Sequence, residues 1–238
     1  MNIALLTAGG IGSRTHQDIP KQFLSVDNKP IIIYTLEAFQ QHPCIDEICV
    51  VILKGWREVL SAYAKQFNID KLKYIVDGGI SNQESIYKGL LEIKKYRSND
   101  DVVMIHDGNR PMISQQIITD SLVTFQKYGD AVAAIPCTEV VFVVDSPEQQ
   151  VSMKSIERNN LRRTQTPHTY KLGTILAAQE KAKKSNLNNI PACCSLMEQL
   201  GYPSHFSLGS EKNIKITTAE DIEIFRALLH AQNDKWIK

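Results

Sequence analysis

The residues best placed to do chemistry lie near the start of the chain. Leu6-Thr7-Ala8-Gly9-Gly10-Ile11-Gly12-Ser13-Arg14 is followed by Ile19-Pro20-Lys21-Gln22-Phe23. The apolar run Ile3 to Leu6 just before it reads as a buried strand. A strand that opens into glycines lets backbone N–H groups approach and cradle phosphate oxygens. In an open α/β sheet such a loop sits at the carboxyl end of its strand, where ligands bind. Three readings of the loop compete. A dinucleotide fingerprint needs a third glycine where Thr15 stands, and an acid where Leu53-Lys54-Gly55 ends the second strand. A P-loop needs GxxxxGK followed by Ser or Thr, which is missing. The third reading is a glycine turn followed by Arg and then Pro-Lys. Arg14 and Lys21 would bring two positive charges to a triphosphate, as phosphoryl and nucleotidyl transfer require.

The elements that must position this loop follow from hydrophobic periodicity. Strands are expected at Ile3 to Leu6, Glu47 to Leu53, Lys71 to Val76, Val102 to His106 and Ala131 to Ile135. Helical spacing is seen in Pro30 to Gln41, Arg57 to Phe67, Asn82 to Tyr96, Ser114 to Tyr128, Lys171 to Lys184 and Ala219 to His230. Continuous apolar strands alternating with helices predict an α/β fold, Rossmann-like and three-layered, with a mostly parallel sheet. Val140 to Val144 and Val151 to Ile156 flank the turn-rich Asp145-Ser146-Pro147-Glu148. They predict a β-hairpin, a projecting arm within about residues 137–158, with two further sheet strands as the alternative. Lys183 to Asn189 reads as a loop and Asn213 to Ile216 as a late strand. One domain over residues 1–238 is the simplest account.

The 238 residues carry 27 Lys plus Arg against 26 Asp plus Glu. That balance gives no general drive toward nucleic acid or an anionic membrane, so neither is an expected partner. It still permits a local basic pocket. Five cysteines, odd in number and without a CxxC pair, argue against a disulfide framework. The first residues lack a basic region and a long apolar core, and no window is long enough to span a membrane. A cytoplasmic protein is expected. The adjacent Cys193 and Cys194 read as small buried hydrophobes.

AGGIGSR, PKQFL and KPIIIYTLEAF together resemble the cytidylyltransferases that activate polyol phosphates. These are the 2-C-methyl-D-erythritol 4-phosphate and ribitol-5-phosphate cytidylyltransferases. Asp77 to Gly79 with Ser85, His106 to Pro111, Gln165 to Pro167 and Asn213 to Thr217 follow in the family's order. The resemblance spans nearly the whole chain and is greater to the ribitol-5-phosphate branch. It implies that CTP and a polyol phosphate give a CDP-polyol and pyrophosphate, with Mg²⁺ present.

The resemblance also implies residue roles. Ala8, Gly9, Gly10 and Gly12 would cradle the CTP phosphates, with Arg14, Lys21 and Lys215 as the catalytic cations. Gly79 and Ser85 would read the cytosine. Asp107 would hold Mg²⁺; it follows an expected strand, and a hard carboxylate suits a hard cation. Arg110, Arg158 and Thr166 would face the acceptor, Arg158 reaching the neighbouring subunit. Arg110 serves equally as a structural residue. Arg162 and Arg163 leave open which arginine of that cluster meets phosphate. His106 reads as structural, since a phosphate dianion needs no base.

The sequence departs from the family pattern at Asn82, where an Arg is usual, and at Gly108-Asn109, Pro167-His168, Glu139-Val140 and Ala192-Cys193. By the resemblance, Asn82 falls in the cytosine-binding segment, and the shell of the second substrate is the part that varies. The departures leave open an altered acceptor, a 2-C-methyl-D-erythritol 4-phosphate acceptor, or a catalytically weakened nucleotide-binding homologue. An NAD-dependent dehydrogenase is the remaining reading, disfavoured by the loop. The exposed valine face of the arm predicts a homodimer.

Overall fold

The computed structural model describes residues 1–10 and 19–233. β1 (Asn2–Ala8), β4 (Glu47–Ile52), β5 (Leu72–Asp77), β6 (Val102–Asp107), β7 (Asp130–Pro136), β10 (Arg162–Lys171) and β11 (Phe206–Leu208) form one sheet, in the order β11-β7-β10-β6-β1-β4-β5. All neighbouring pairs are parallel except those made by β10. The mostly parallel α/β sheet expected from the alternating pattern is therefore present.

Strand alternation sorts the core into two layers. Ala4, Leu6, Ile48, Val50 and Ile52 point to one face. There they meet α1 (Ile31–Gln41), α2 (Arg57–Gln66) and α4 (Gln115–Tyr128). Ile3, Leu5, Cys49, Val51, Val103 and Ile105 point to the other face. α3 (Asn82–Lys94), α5 (Leu172–Lys184) and α6 (Cys193–Gln199) cover it. Successive side chains leave a strand on opposite faces, so strands covered on both sides must be apolar at every position. α3 can lie close because residue 89 is glycine: a Cβ there would stand 2.6 Å from Leu5 and Val51 side-chain atoms. The helix starts are set by local chemistry. Ser81 accepts a hydrogen bond from the Glu84 N–H and Ser114 from the Ile117 N–H, while Gly129 ends α4 at φ 89°.

Two small antiparallel pairs lie outside the main sheet. β2 (Ser25–Val26) pairs with β3 (Lys29–Pro30). β8 (Val141–Val143) pairs with β9 (Lys154–Ile156), which is the expected hairpin with shorter strands. α7 (Ala219–Asn233) packs Phe225 against Tyr34 and beside Val26 and Ile31. Among the described residues, no helix is long and apolar enough to cross a membrane.

Besides the short β2–β3 pair, three elements escape sequence reasoning, and one expectation fails. β10 reads RRTQTPHTYK, with little apolar content and an internal proline, yet it is inserted between β6 and β7. α6 and β11 are too short to show a period. The expected strand Asn213 to Ile216 is not a strand: the segment joins no sheet and is held instead by contacts to residue 109. Its alternation reflects Ile214 and Ile216 entering the core beneath α7.

Candidate functional site

β1 connects outward to β4, and β6 leads to the opposite half of the sheet, so the chain reverses its direction of progress between them. Ligands collect at the carboxyl ends of strands at such a switch point. Here those ends carry Thr7, Ala8 and Asp107, and Thr7 lies opposite Asp107 in register. A cleft of about 640 Å³ opens above them, a size suited to a nucleotide.

Ala8, Gly9, Gly10 and Lys21 line this cleft together with Gly79, Ser85, Asp107 and Lys215. The sequence thus selects residues from five separated segments that the fold brings together. Gly12 and Arg14 lie outside the described residues. The Ser85 hydroxyl accepts a hydrogen bond from the Gly79 N–H at 2.9 Å, closing the turn before α3. Its own proton is not spent in that bond.

A smaller cavity of about 120 Å³ adjoins the cleft. Arg110, Thr166, His168 and Cys193 line it, and Thr7, Asn82, Asp107 and Lys215 line both spaces. Asp107 and Lys215 therefore stand on the wall between two binding volumes. Lys215 Nζ lies 3.1 Å from Asp107 Oδ1, and Arg110 Nε donates to Asp107 Oδ2 at 2.9 Å. Burial disfavours a charge on Asp107, but Lys215 and Arg110 outweigh it and hold the carboxyl at about 2. The group is an anion throughout the physiological range.

The geometry around Asp107 is closed by a ring of hydrogen bonds. The Asp107 N–H donates to Thr166 Oγ1 at 3.0 Å. The same hydroxyl lies 3.0 Å from His106 Nδ1, and His106 Nε2 lies 3.2 Å from the Arg110 carbonyl oxygen. A consistent assignment has Thr166 donate to Nδ1 and Nε2–H donate to the carbonyl. His106 is fully buried, and desolvation lowers its pKa to about 4, so it is neutral. The expected structural role of His106 matches this arrangement. Thr166 reaches Asp107 because Gln165 to Pro167 leave the β10 ladder, whose register shifts between Thr164 and His168. The Thr166–Pro167 peptide is cis.

Arg158 is placed elsewhere. It follows β9 at the base of the hairpin, where its Nη1 donates to the Thr138 carbonyl at 3.0 Å, and it lines neither cavity. Arg163 pairs with Glu211, and Arg162 Nη1 donates to the carbonyls of Asn159 and Leu161.

Several site residues carried no independent signal. Gln22 is almost fully buried, and its Nε2 donates to the carbonyls of Ala8 at 2.6 Å and Gly10 at 3.3 Å. Phe23 beside it stacks on Trp56 at 4.6 Å, which pins the turn carrying Lys21. His168 is buried in the wall of the smaller cavity, where desolvation and then the nearby cations hold its pKa at about 4. Asn109 and Asn213 brace the Lys215 segment. Nothing in the sequence alone singles these residues out, because only folding buries them against the groups they satisfy.

The family model for IspD, 2-C-methyl-D-erythritol 4-phosphate cytidylyltransferase, matches residues 2–231. A ribitol-5-phosphate cytidylyltransferase of Lacticaseibacillus paracasei is 39% identical, over 96% of this chain and 98% of its own. A 2-C-methyl-D-erythritol 4-phosphate cytidylyltransferase of Clostridium botulinum is 36% identical over 96% and 97%. The crystal structure of the Francisella tularensis 2-C-methyl-D-erythritol 4-phosphate cytidylyltransferase superposes with a TM-score of 0.80 at 30% identity, covering 95% of this chain and 98% of that one. With a family match over nearly the whole chain and relatives at 36–39% identity, this chain, a nucleotidyltransferase, belongs to the IspD family of cytidylyltransferases.

Proposed function

We propose that the protein transfers the cytidylyl group of CTP to ribitol 5-phosphate, with Mg²⁺, giving CDP-ribitol and pyrophosphate. The observation that carries this reading is the shared wall. Asp107 and Lys215 face both the nucleotide-sized cleft and the smaller cavity, so both ligands meet at one charged pair. An oxygen of the acceptor phosphate attacks the α-phosphorus of CTP. The bond from that phosphorus to the bridging oxygen breaks, and its electron pair leaves with pyrophosphate. The acceptor is already a dianion, so the neutral, buried His106 has no base to supply.

Lys21 and Lys215 neutralise charge on the triphosphate, and positioning with charge neutralisation is most of what this chemistry needs. Arg110, beside the smaller cavity, faces the acceptor phosphate while holding Asp107. Gly79 and Ser85 border the nucleotide cleft where the base is read through backbone and hydroxyl groups.

Among the described residues, no group of three or more His, Cys, Asp or Glu side chains gathers around one point. A single ionised carboxylate with phosphate oxygens is nevertheless a donor set that Mg²⁺ accepts. Lys215 and Arg110 use two of the four lone-pair sites of Asp107, which leaves others for a cation. When bound, the ion supplies further neutralisation of the phosphates.

The ribitol acceptor is supported by the relatives of Lacticaseibacillus paracasei and Vibrio parahaemolyticus, both named for ribitol 5-phosphate at 39% and 37% identity. The five free cysteines support a reducing, cytoplasmic location. The apolar residues Val140, Phe142, Val144, Val151 and Met153 stand exposed on and beside the β8–β9 pair, which supports a homodimer built through one domain's arm.

Pyrophosphate release from CTP and Mg²⁺ with a panel of polyol phosphates tests the reading. Ribitol 5-phosphate is expected to give the highest kcat/KM. A higher value for 2-C-methyl-D-erythritol 4-phosphate would reassign the acceptor. CTP binding without turnover on any member of the panel would leave a nucleotide-binding homologue.

A further inference from the structure

Lys215 has no sheet to hold it. Its segment runs extended between residue 213 and the start of α7 and pairs with no strand. Its anchoring comes chiefly from one buried residue, Asn109, through its backbone and its side chain. The Ile216 N–H donates to the Asn109 backbone carbonyl at 2.9 Å, and the Asn109 side-chain amide donates back to the Ile216 carbonyl. Asn109 therefore gives Ile216 both an acceptor and a donor, as a residue on a neighbouring strand would. Both residues are buried, and the Ile216 side chain is locked among Val26, Ile31, Met112 and Phe225. On the other side of Lys215, the Asn213 amide donates to the Thr166 carbonyl at 2.9 Å. With the residue after it fixed in both backbone groups and its side chain, Lys215 is turned the opposite way, onto Asp107.

We propose that Asn109 is a positioning residue for Lys215, setting the place of its ammonium on the wall between the two cavities. The proposal rests on the cytidylyltransferase reading only where CTP is used as a probe. Asn109 also lines the larger cleft, so direct contact with the nucleotide is the rival account. A double-mutant cycle separates the two, because coupling appears only between groups that act through one another.

Calorimetry with CTP and Mg²⁺ on the full chain, Asn109→Ala, Lys215→Ala and the double variant is the first measurement. Asn109→Ala should weaken CTP about five- to tenfold when Lys215 is present, and less than about twofold when it is already Ala. Equal losses in both backgrounds, or no loss in the first, would overturn the proposal. The second measurement needs no nucleotide. Acylation of lysines read by mass spectrometry, with Lys88 as internal reference, follows Lys215 in the wild type and in Asn109→Asp, which keeps the volume but loses the donor to Ile216. Thermal melts confirm that each variant is folded. Lys215 should label about threefold faster in the variant, the size expected when a half-exposed ion pair loosens. An unchanged labelling rate would overturn the assignment even if CTP failed to bind.

Discussion

Lys215 Nζ lies 3.1 Å from Asp107 Oδ1, across 108 residues of sequence, and the other oxygen of the same carboxylate is held by Arg110 at 2.9 Å. A buried anion between two cations on the wall of two cavities is stable only with both partners in place. Lys215→Ala removes the one that reaches the nucleotide cleft. Its kcat should fall about 10²–10³-fold, the loss seen when one fixed charge-stabilising donor is removed. A fall of less than tenfold, measured by pyrophosphate release at saturating CTP and acceptor, would deny Lys215 a part in the chemical step.

Thr166 holds Asp107 through that residue's backbone. Its hydroxyl accepts from the Asp107 N–H and bridges to His106 Nδ1. Thr166→Val keeps the shape and removes both bonds, leaving a buried N–H without an acceptor. The expected cost is about 1–3 kcal/mol of stability, read by denaturant melts. Thr166→Ser should recover most of it. If valine and threonine gave the same midpoint, the ring of bonds would not be holding the loop.

Much of this was legible in the sequence, and the part that was not has physical causes. Ile3 to Leu6 and Val102 to Ile105 are apolar at every position because helices cover both faces of β1 and β6, and that pattern survives any choice of surface residue. β10 could not be read because its stability comes from the neighbours β6 and β7, not from its own polar residues. Arg14 and Lys21 were singled out by the chemistry of the glycine loop, Asp107 and Lys215 by the family resemblance. Gln22 and Asn109 were not, because each acts by satisfying backbone groups brought close only by folding.

Gln22 provides a direct check on the glycine loop. Its amide donates to the carbonyls of Ala8 and Gly10, on the strand end that begins the phosphate cradle. Gln22→Leu retains bulk and leaves a buried carbonyl unpaired. The KM for CTP should rise about tenfold while the acceptor KM changes much less, since the smaller cavity does not include this residue. Equal rises in both constants would point to a general loss of structure.

The two buried histidines set the acid limit of stability. Desolvation holds His106 and His168 at about 4, against an ordinary value of 6.5. Between those values the unfolded chain binds protons that the folded one refuses, so stability falls as pH drops from about 6.5 to about 4. The combined effect is on the order of a few kcal/mol. Asp107 adds a second, lower window. Its folded value of about 2 lies below the unfolded one, so its contribution is present above about pH 4 and is lost on further acidification. Urea midpoints at pH 7.5, 5.5 and 4.5 should decline in that order. His168→Gln should flatten the decline above pH 4; an unchanged slope would mean that His168 is protonated in the folded state as readily as outside it.

The β8–β9 pair carries the last prediction. Phe142 and Met153 are exposed, with Val140, Val144 and Val151 close in sequence, so a lone chain would offer water a row of apolar side chains on a two-stranded ribbon. Such ribbons are marginal by themselves, and exposed apolar patches of this kind mark surfaces that pair. Light scattering should therefore report twice the mass of 26.8 kDa at assay concentrations. Phe142→Lys should shift the protein toward the monomer. The position of Arg158 at the base of the ribbon, away from both cavities of its own chain, gives the same variant a second consequence. If the ribbon carries Arg158 to the acceptor of the partner, the monomer should lose acceptor affinity and keep CTP affinity. A monomeric variant with an unchanged acceptor KM would confine the ribbon to assembly and remove Arg158 from the reaction.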